Sequence, residues 1–353
     1  MPNRSNLKEI ARRAQVSMMT ASNVINGRQG KYSADTYQRV IRAAEEVGYV
    51  PNLAAKHLRN GKMGLIAFIL PDIRNPYFSE LAQYVIQEAE AQGYTVLLSF
   101  TDTNPEIVSS IVNGAEQLPV DGIILAPFPL DFRESRITKP MVLLWEIRKS
   151  IQHDIIVLDH VLMARAATQH LIDIGRKRIA PIGVVNTSLT TDITHPRTEG
   201  YLQAMNAAGL EIDQNWFIPV PEFSYHHNFG AYTMLKLLEL DNPPDAVFCY
   251  NDLMAIGAMK VLQAKGLHIP EDVAVIGIDG IEEGRYHSPS LSTVSVDRRT
   301  MSKMAVNLLI ERILGKRTDP PELIHTPFAL IARESTLGKQ YVTDVEELIK
   351  SDL

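Results

Sequence analysis

Two sets of side chains in this 353-residue chain carry recognition chemistry, and neither forms a catalytic constellation. The first is the run Ser17-Met18-Met19-Thr20-Ala21-Ser22-Asn23, with Asn26 and Lys31 close behind. An asparagine amide pairs a donor and an acceptor in the way an adenine edge requires, and a methionine can pack on a thymine methyl. Ser17, Thr20, Asn26 and Lys31 are of the kinds that hold backbone phosphates, which position a protein without specifying sequence. The second set is scattered: Tyr77, Phe78, Phe128, Glu146, Arg197, Asn251 and Asp279. Carboxylates accept from hydroxyls, arginine donates, and rings cover apolar faces, so these types together suit a polyhydroxylated small molecule. Plainer readings stand beside these: one of Met18 and Met19 packs inward, Tyr77 or Phe78 belongs to a core, and Asp252 is only a helix cap.

Enzyme signatures are missing. No GxGxxG follows a strand, and there is no GxxxxGK[ST] or GxSxG. His226-His227 lacks metal-ligand spacing and reads as a surface pair, and the single cysteine, Cys249, sits in an apolar run that reads as a buried strand. The expectation is a protein that is not an enzyme and needs neither metal nor cofactor.

The elements that position the first set are three short helices. Leu7, Ile10, Ala11 and Ala14 recur at helical spacing. Ser17 is a good N-cap for a second helix, with Ala21, Val24 and Ile25 inward and Met18, Met19, Ser22, Asn23 and Asn26 outward. Ser33 caps a third, striped by Val40, Ile41, Ala44 and Val47 and ended by Gly48. A three-residue turn between the first two helices predicts a helix-turn-helix, with Gln15 in a left-handed conformation that is easier for glycine.

Charge agrees. Residues 1–62 hold eleven Lys and Arg against four Asp and Glu, about +7, although the whole chain carries −6. The remainder therefore carries about −13, and a basic head on an acidic body fits a polyanion. Pro51–Gly61 (PNLAAKHLRNG) is a segment too short to be a stable helix alone. Beyond it, apolar runs such as Leu65–Leu70, Gly122–Ala126, Ala246–Tyr250 and Val273–Ile278 alternate with amphipathic helices. That alternation predicts parallel sheets covered by helices, in two doubly wound subdomains with a ligand cleft beyond the strand ends. No apolar run approaches the roughly 20 residues of a membrane span, and the polar start lacks the core of a signal peptide, so a cytoplasmic location is expected.

The run Leu7-Lys8-Glu9-Ile10-Ala11, then Val16-Ser17, Thr20-Ala21-Ser22-Asn23-Val24-Ile25-Asn26 and Gly48-Tyr49-Val50-Pro51-Asn52-Leu53-Ala54-Ala55, resembles the LacI-type (LacI/GalR) bacterial transcription repressor family. The resemblance continues along nearly the whole chain. It departs at Asn23, where the family usually has arginine, and at Ala21, where it usually has valine. It implies a ligand-responsive regulator, acting as a repressor, that binds a pseudo-palindromic operator in double-stranded DNA as a homodimer or as a tetramer built from it. Residues 1–50 would be the DNA-binding domain and 51–62 a hinge helix that folds on DNA. Leu58 would be its minor-groove wedge, or an ordinary linker anchor. Ala54 and Ala55 would let two such helices approach, and Lys56 and Arg59 would reach phosphates.

Residues 63–340 would form a periplasmic-binding-protein-like core for an effector, a sugar or sugar derivative. Subdomain one is expected at about 63–160 and 292–322, subdomain two at about 161–291 and 323–340, and a tail at 341–353. Positions matching the family's effector contacts are Tyr77, Phe78, Glu146, Arg197, Phe223, Asn251 and Asp279. Glu146 stands where aspartate is frequent, and Arg298 stands in the last crossover, where an aromatic or small polar residue is common. A solute-binding protein of a transporter or a sugar-metabolising α/β enzyme are the alternatives; neither accounts for the basic head.

Overall fold

The computed structural model describes residues 4–25, 32–49, 62–102, 104, 106–107, 110, 114, 117–126, 137–144, 152–185, 195–221 and 226–338. The chain forms two compact units that divide between Gly64 and Leu65.

The first unit is helical: α1 Arg4–Arg13, α2 Met18–Ile25 and α3 Ala34–Glu46. Ile10, Ala11, Ala14, Ala21, Val24, Val40 and Ala43 form its small buried core. The stripe of α3 is centred on Val40 and Ala43, with Ile41, Ala44 and Val47 only partly buried against it. The Ser17 hydroxyl accepts from Thr20 N at 3.0 Å, and the Ser33 hydroxyl from Thr36 N at 3.2 Å, so both expected caps form. Gln15 takes φ 53°, and the Arg39 guanidinium secures the turn by donating to the Ala14 carbonyl at 3.0 Å. Gly48, at φ 62°, ends α3 in the left-handed conformation that glycine adopts freely, and Tyr49 N returns to Ala44 O at 2.9 Å.

The second unit is α/β. In chain order it contains β1 Leu65–Leu70, α4 Pro76–Ala91, β2 Thr95–Phe100, β3 Gly122–Leu125, β4 Met141–Leu144, β5 Asp154–Val157, α5 His160–Asp173, β6 Ile179–Ile182 and α6 Pro196–Ala207. There follow α7 His227–Leu238, β7 Ala246–Cys249, α8 Asp252–Ala264, β8 Ala274–Asp279, α9 Glu282–Tyr286, β9 Ser292–Val296, α10 Arg298–Ile313, β10 Leu323–His325, β11 Phe328–Ile331 and α11 Glu334–Leu337.

The first sheet runs β10-β5-β4-β3-β1-β2 and is parallel throughout. The second runs β11-β9-β8-β7-β6, parallel except for β11 against β9. Helices cover the strands, so most strands are buried along their whole length, as a parallel sheet demands. Helix α10 packs on α4 beside the first sheet, α5 packs on α6 and α7 on α8 beside the second.

Two expected boundaries move. Ser292–Val296, placed in advance with the first subdomain, hydrogen-bonds to β8 in the second sheet, and Leu323–His325, placed with the second, pairs with β5 in the first. Both strands are short, five residues and three, so their pairing was not legible as hydrophobic pattern. The chain therefore passes between sheets after Val157, after Val296 and after His325.

One buried ion pair staples the first sheet. Asp154, 1% exposed, accepts from Arg312 Nε at 2.8 Å and Nη2 at 2.9 Å, and from Glu322 N at 3.1 Å. It joins β5, α10 and the approach to β10. Removing one partner of such a pair leaves a buried charge, so Arg312→Ala should lower unfolding free energy by about 3–5 kcal/mol in urea melts. Burial alone would raise the Asp154 carboxyl, but Arg312 and Glu322 N hold it below its ordinary value of 3.8. Its contribution is thus present above that value and lost as pH falls through the lower folded value. Acid titration should expose this loss in the parent and not in Arg312→Ala.

Candidate functional site

On α2 the outward face is as expected. Met18 is 51% and Met19 74% exposed, so neither packs inward. Thr20, Ser22 and Asn23 are half-buried. The Ser17 and Thr20 hydroxyls bond to each other at 2.9 Å as well as capping, so their capacity is already partly used within the head. Asn23 Nδ2 donates to the Tyr32 hydroxyl at 2.8 Å. This bond orients Asn23, whose amide carries the donor and acceptor pair that an adenine edge requires. Asn26, Lys31, Ala55, Leu58 and Arg59 lie outside the described residues.

In the core the structure brings Tyr77, Arg197, Asn251, Asp279 and Arg298 to the strand ends. Asn75 caps α4 by accepting from Tyr77 N at 3.0 Å, and Pro76 takes the first helical position. Tyr77 and Phe78 are both buried, in edge-to-face contact at 5.3 Å between ring centres, so both contribute to the core. The Arg298 guanidinium lies over the Tyr77 ring at 5.5 Å. Phe128, Glu146 and Phe223 lie outside the described residues.

Asn251 is the N-cap of α8, accepting from Met254 N at 2.9 Å. Asp252, read in advance as a cap, has a different job. Its carboxylate is fully buried and accepts from Gly280 N at 2.8 Å, Ile281 N at 3.0 Å and the Thr293 hydroxyl at 2.8 Å. It lies over Gly277, where a Cβ would stand 2.2 Å from Asp252 Oδ1. This grip fixes the end of β8, where Asp279 has φ 126°, a conformation a non-glycine residue keeps only when its surroundings impose it. Burial raises the carboxyl of Asp252, and the neighbouring Asp279 adds to the effect. Burial likewise raises that of Asp279, with Arg197 and Arg298 opposing it.

Arg197 opens α6. Its guanidinium donates to the Tyr250 carbonyl and approaches His160 Nδ1 at 3.5 Å, while its Nε is buried without a partner. His195 caps the same helix, accepting from Arg197 N at 3.2 Å, and its ring stacks on Tyr250 at 5.2 Å. Burial, reinforced by Arg197, lowers the His195 imidazole to about 3 and pushes that of His160 well down, so both rings are neutral at neutral pH. The Thr198 and Tyr250 hydroxyls share a hydrogen bond behind them.

Arg298 ties the two halves together. From the start of α10 it donates to the carbonyls of Asp279 and Gly280, the latter at 2.8 Å, and pairs with Glu80 of α4 at 2.8 Å. Its Nε is buried without a partner. At the rim, Asp72 accepts from Arg74 N at 2.8 Å and Nε at 2.9 Å and faces His226 Nε2 at 3.7 Å, so His226 contacts the other half of the core and is more than a surface residue. Glu80, His160 and His195 were not singled out from sequence. Glu80 stands three residues after Tyr77 on one helix face, and His195 immediately precedes Pro196; these spacings were the available signals. Among the described residues no cluster of three or more His, Cys, Asp or Glu could hold a metal ion.

Comparison with known proteins agrees with both units. Residues 6–52 match bacterial regulatory proteins of the lacI family, and residues 168–336 match a periplasmic binding protein-like domain. The chain is 33% identical over 339 residues to the HTH-type transcriptional repressor PurR of Pasteurella multocida, covering 94% of this chain and 99% of that one. It is 31% identical over 314 residues to the HTH-type transcriptional repressor CytR of Escherichia coli K12, covering 88% and 90%. Among solved structures, the transcriptional regulator CelR–cellobiose complex aligns over 95% of this chain and 100% of its own, with 28% identity and TM-score 0.65. A putative LacI-family regulator from Sanguibacter keddieii aligns over 77% and 98%, with 34% identity and TM-score 0.70. The helix-turn-helix head, the two-sheet core and these similarities together make the chain a member of the lacI family of bacterial transcription regulators.

Proposed function

We propose that this protein is a repressor that binds a pseudo-palindromic operator as a homodimer and is controlled by a sugar or sugar derivative in the core. The observation that carries the reading is the pairing of an exposed, polar-and-methionine face on α2 with a separate core whose strand ends gather Arg197, Asn251, Asp279 and Arg298. Two similar proteins hold sugars in their solved structures: CelR with cellobiose, and a periplasmic binding protein/LacI transcriptional regulator from Alkaliphilus metalliredigens with D-xylulofuranose. They support a carbohydrate class for the effector.

In this reading residues 1–50 are the DNA-binding head, 51–62 the hinge, 63–340 the core and 341–353 a tail. Met18, Met19, Ser22 and Asn23 face bases, while Ser17, Thr20, Asn26, Lys31 and Arg59 face phosphates. Ala55 lets two hinges approach, and Leu58 enters the minor groove. Edge strand β2 presents Leu97, Leu98 and Phe100 to solvent, which supports association through this part of the core. Tyr77, Phe78, Phe128, Glu146, Arg197, Phe223, Asn251, Asp279 and Arg298 surround the effector. Binding there alters DNA affinity only through a difference in effector affinity between two arrangements of the core. Acting on chromosomal operators, the protein would work in the cytoplasm.

Operators selected from a random duplex pool test the reading. Affinity should fall steeply between 50 and 200 mM salt, about a thousandfold if six or more phosphates are neutralised; a flat response would reject DNA regulation. Asn23→Ala should cost about 1–3 kcal/mol at one base position per half-site, and Tyr32→Phe should relax selectivity at the same position with little change in stability. Leu58→Ala should weaken operator binding and reduce bending; unchanged affinity and bending would remove the wedge.

A further inference from the structure

We propose that Arg298 makes the core site select an effector that carries a carboxylate or phosphate group, an acidic or phosphorylated sugar, over its neutral parent. The inference rests on the sugar-effector reading above and narrows it.

The donors come first. Arg298 has five N–H groups. Two are directed at the carbonyls of Asp279 and Gly280 and one at Glu80, while Nε is buried with no acceptor. Arg197 repeats the pattern: one donor on the Tyr250 carbonyl, a long approach to His160 and a buried, unused Nε. Both guanidiniums are close enough to Asp279 to act on its carboxyl. Two buried donors without acceptors thus belong to two planar cations, held at the ends of the neighbouring strands β7 and β8, that both act on Asp279.

Charge comes second. Carbonyls use donors without neutralising charge. Among the described residues, the carboxyls set against these two permanent cations are Glu80, a quarter exposed, and Asp279, whose burial resists ionisation. His160 and His195 are neutral there. A sugar hydroxyl could fill a donor's vacancy but could not balance the charge. A carboxylate or phosphate does both, through bonds about twice as strong as neutral ones, and the arginine fork matches its geometry. Arg298 is only 11% exposed, so that balance is struck largely out of water.

The test is calorimetric titration of the full-length protein with matched probes: D-glucose, D-galactose and D-xylose against D-glucuronate, D-galacturonate, D-xylonate and D-glucose 6-phosphate. At least one anion should bind about tenfold or more tighter than its parent, and Arg298→Met, which loosens Asp279 and Gly280 and so weakens both ligands, should remove most of that advantage, read as the ratio of the two affinities in the same variant. Glu80→Gln, which frees the Arg298 charge, should increase the ratio of anion to neutral-sugar affinity; loss of a purely structural tie would weaken both alike, and the variant serves if Arg298→Met fails to fold. Carboxylate and phosphate probes separate the two anion types. A parent that binds as tightly as its anion, or an anion preference that survives both variants unchanged, overturns the inference and leaves the sugar reading standing. Binding of neither series overturns the sugar reading and this inference with it.

Discussion

The core depends on a carboxylate that never meets solvent. Asp252 is the first residue of α8, yet its side chain reaches across to Gly280 N, Ile281 N and the Thr293 hydroxyl. A buried carboxyl is tolerable only when its oxygens find donors, and Gly280 N, Ile281 N and the Thr293 hydroxyl supply three. The same bonds lock the end of β8 and hold Asp279 in a backbone state it would not choose alone. The most exacting side chain of the site is thereby fixed from behind by a residue that lies one layer beneath it.

The head obeys the same economy on a smaller scale. Among the described residues its buried core is seven small or medium apolar side chains, and caps and turn bonds add to it. Ser17 and Ser33 start their helices, Arg39 ties the turn and Tyr32 steadies Asn23. A side chain held in one orientation loses less entropy on meeting a partner than a free one.

Much of this could be read from residue order, and what could not has a physical reason. The three helices of the head, their caps and the left-handed Gln15 follow from spacing and from which side chains can cap. The apolar runs of the first and second sheets were visible because parallel strands are buried on both faces. Ser292–Val296 and Leu323–His325 were misassigned because their partners are set by topology, and a short strand carries too little pattern to name its neighbour. At the site, Arg197 and Asp279 stood out as charged groups at strand or helix ends. Asp252 was taken for a cap because a cap and an inward-facing first-turn acid look identical in one dimension. The partnership of Glu80 with Arg298 spans more than two hundred positions, and no local signal announces it.

The threading of the core also governs its birth on the ribosome. The first sheet is begun by β1 but lacks its outer strand, β10, and the helix α10 that packs over it until nearly the whole chain has been made. The second sheet likewise waits for β11. Neither half can close early, whereas the head is contiguous and completes as soon as it emerges. A chain stalled before Leu323 would thus display a finished nucleic-acid-reading module attached to an open, sticky body, a species the cell must shield or destroy.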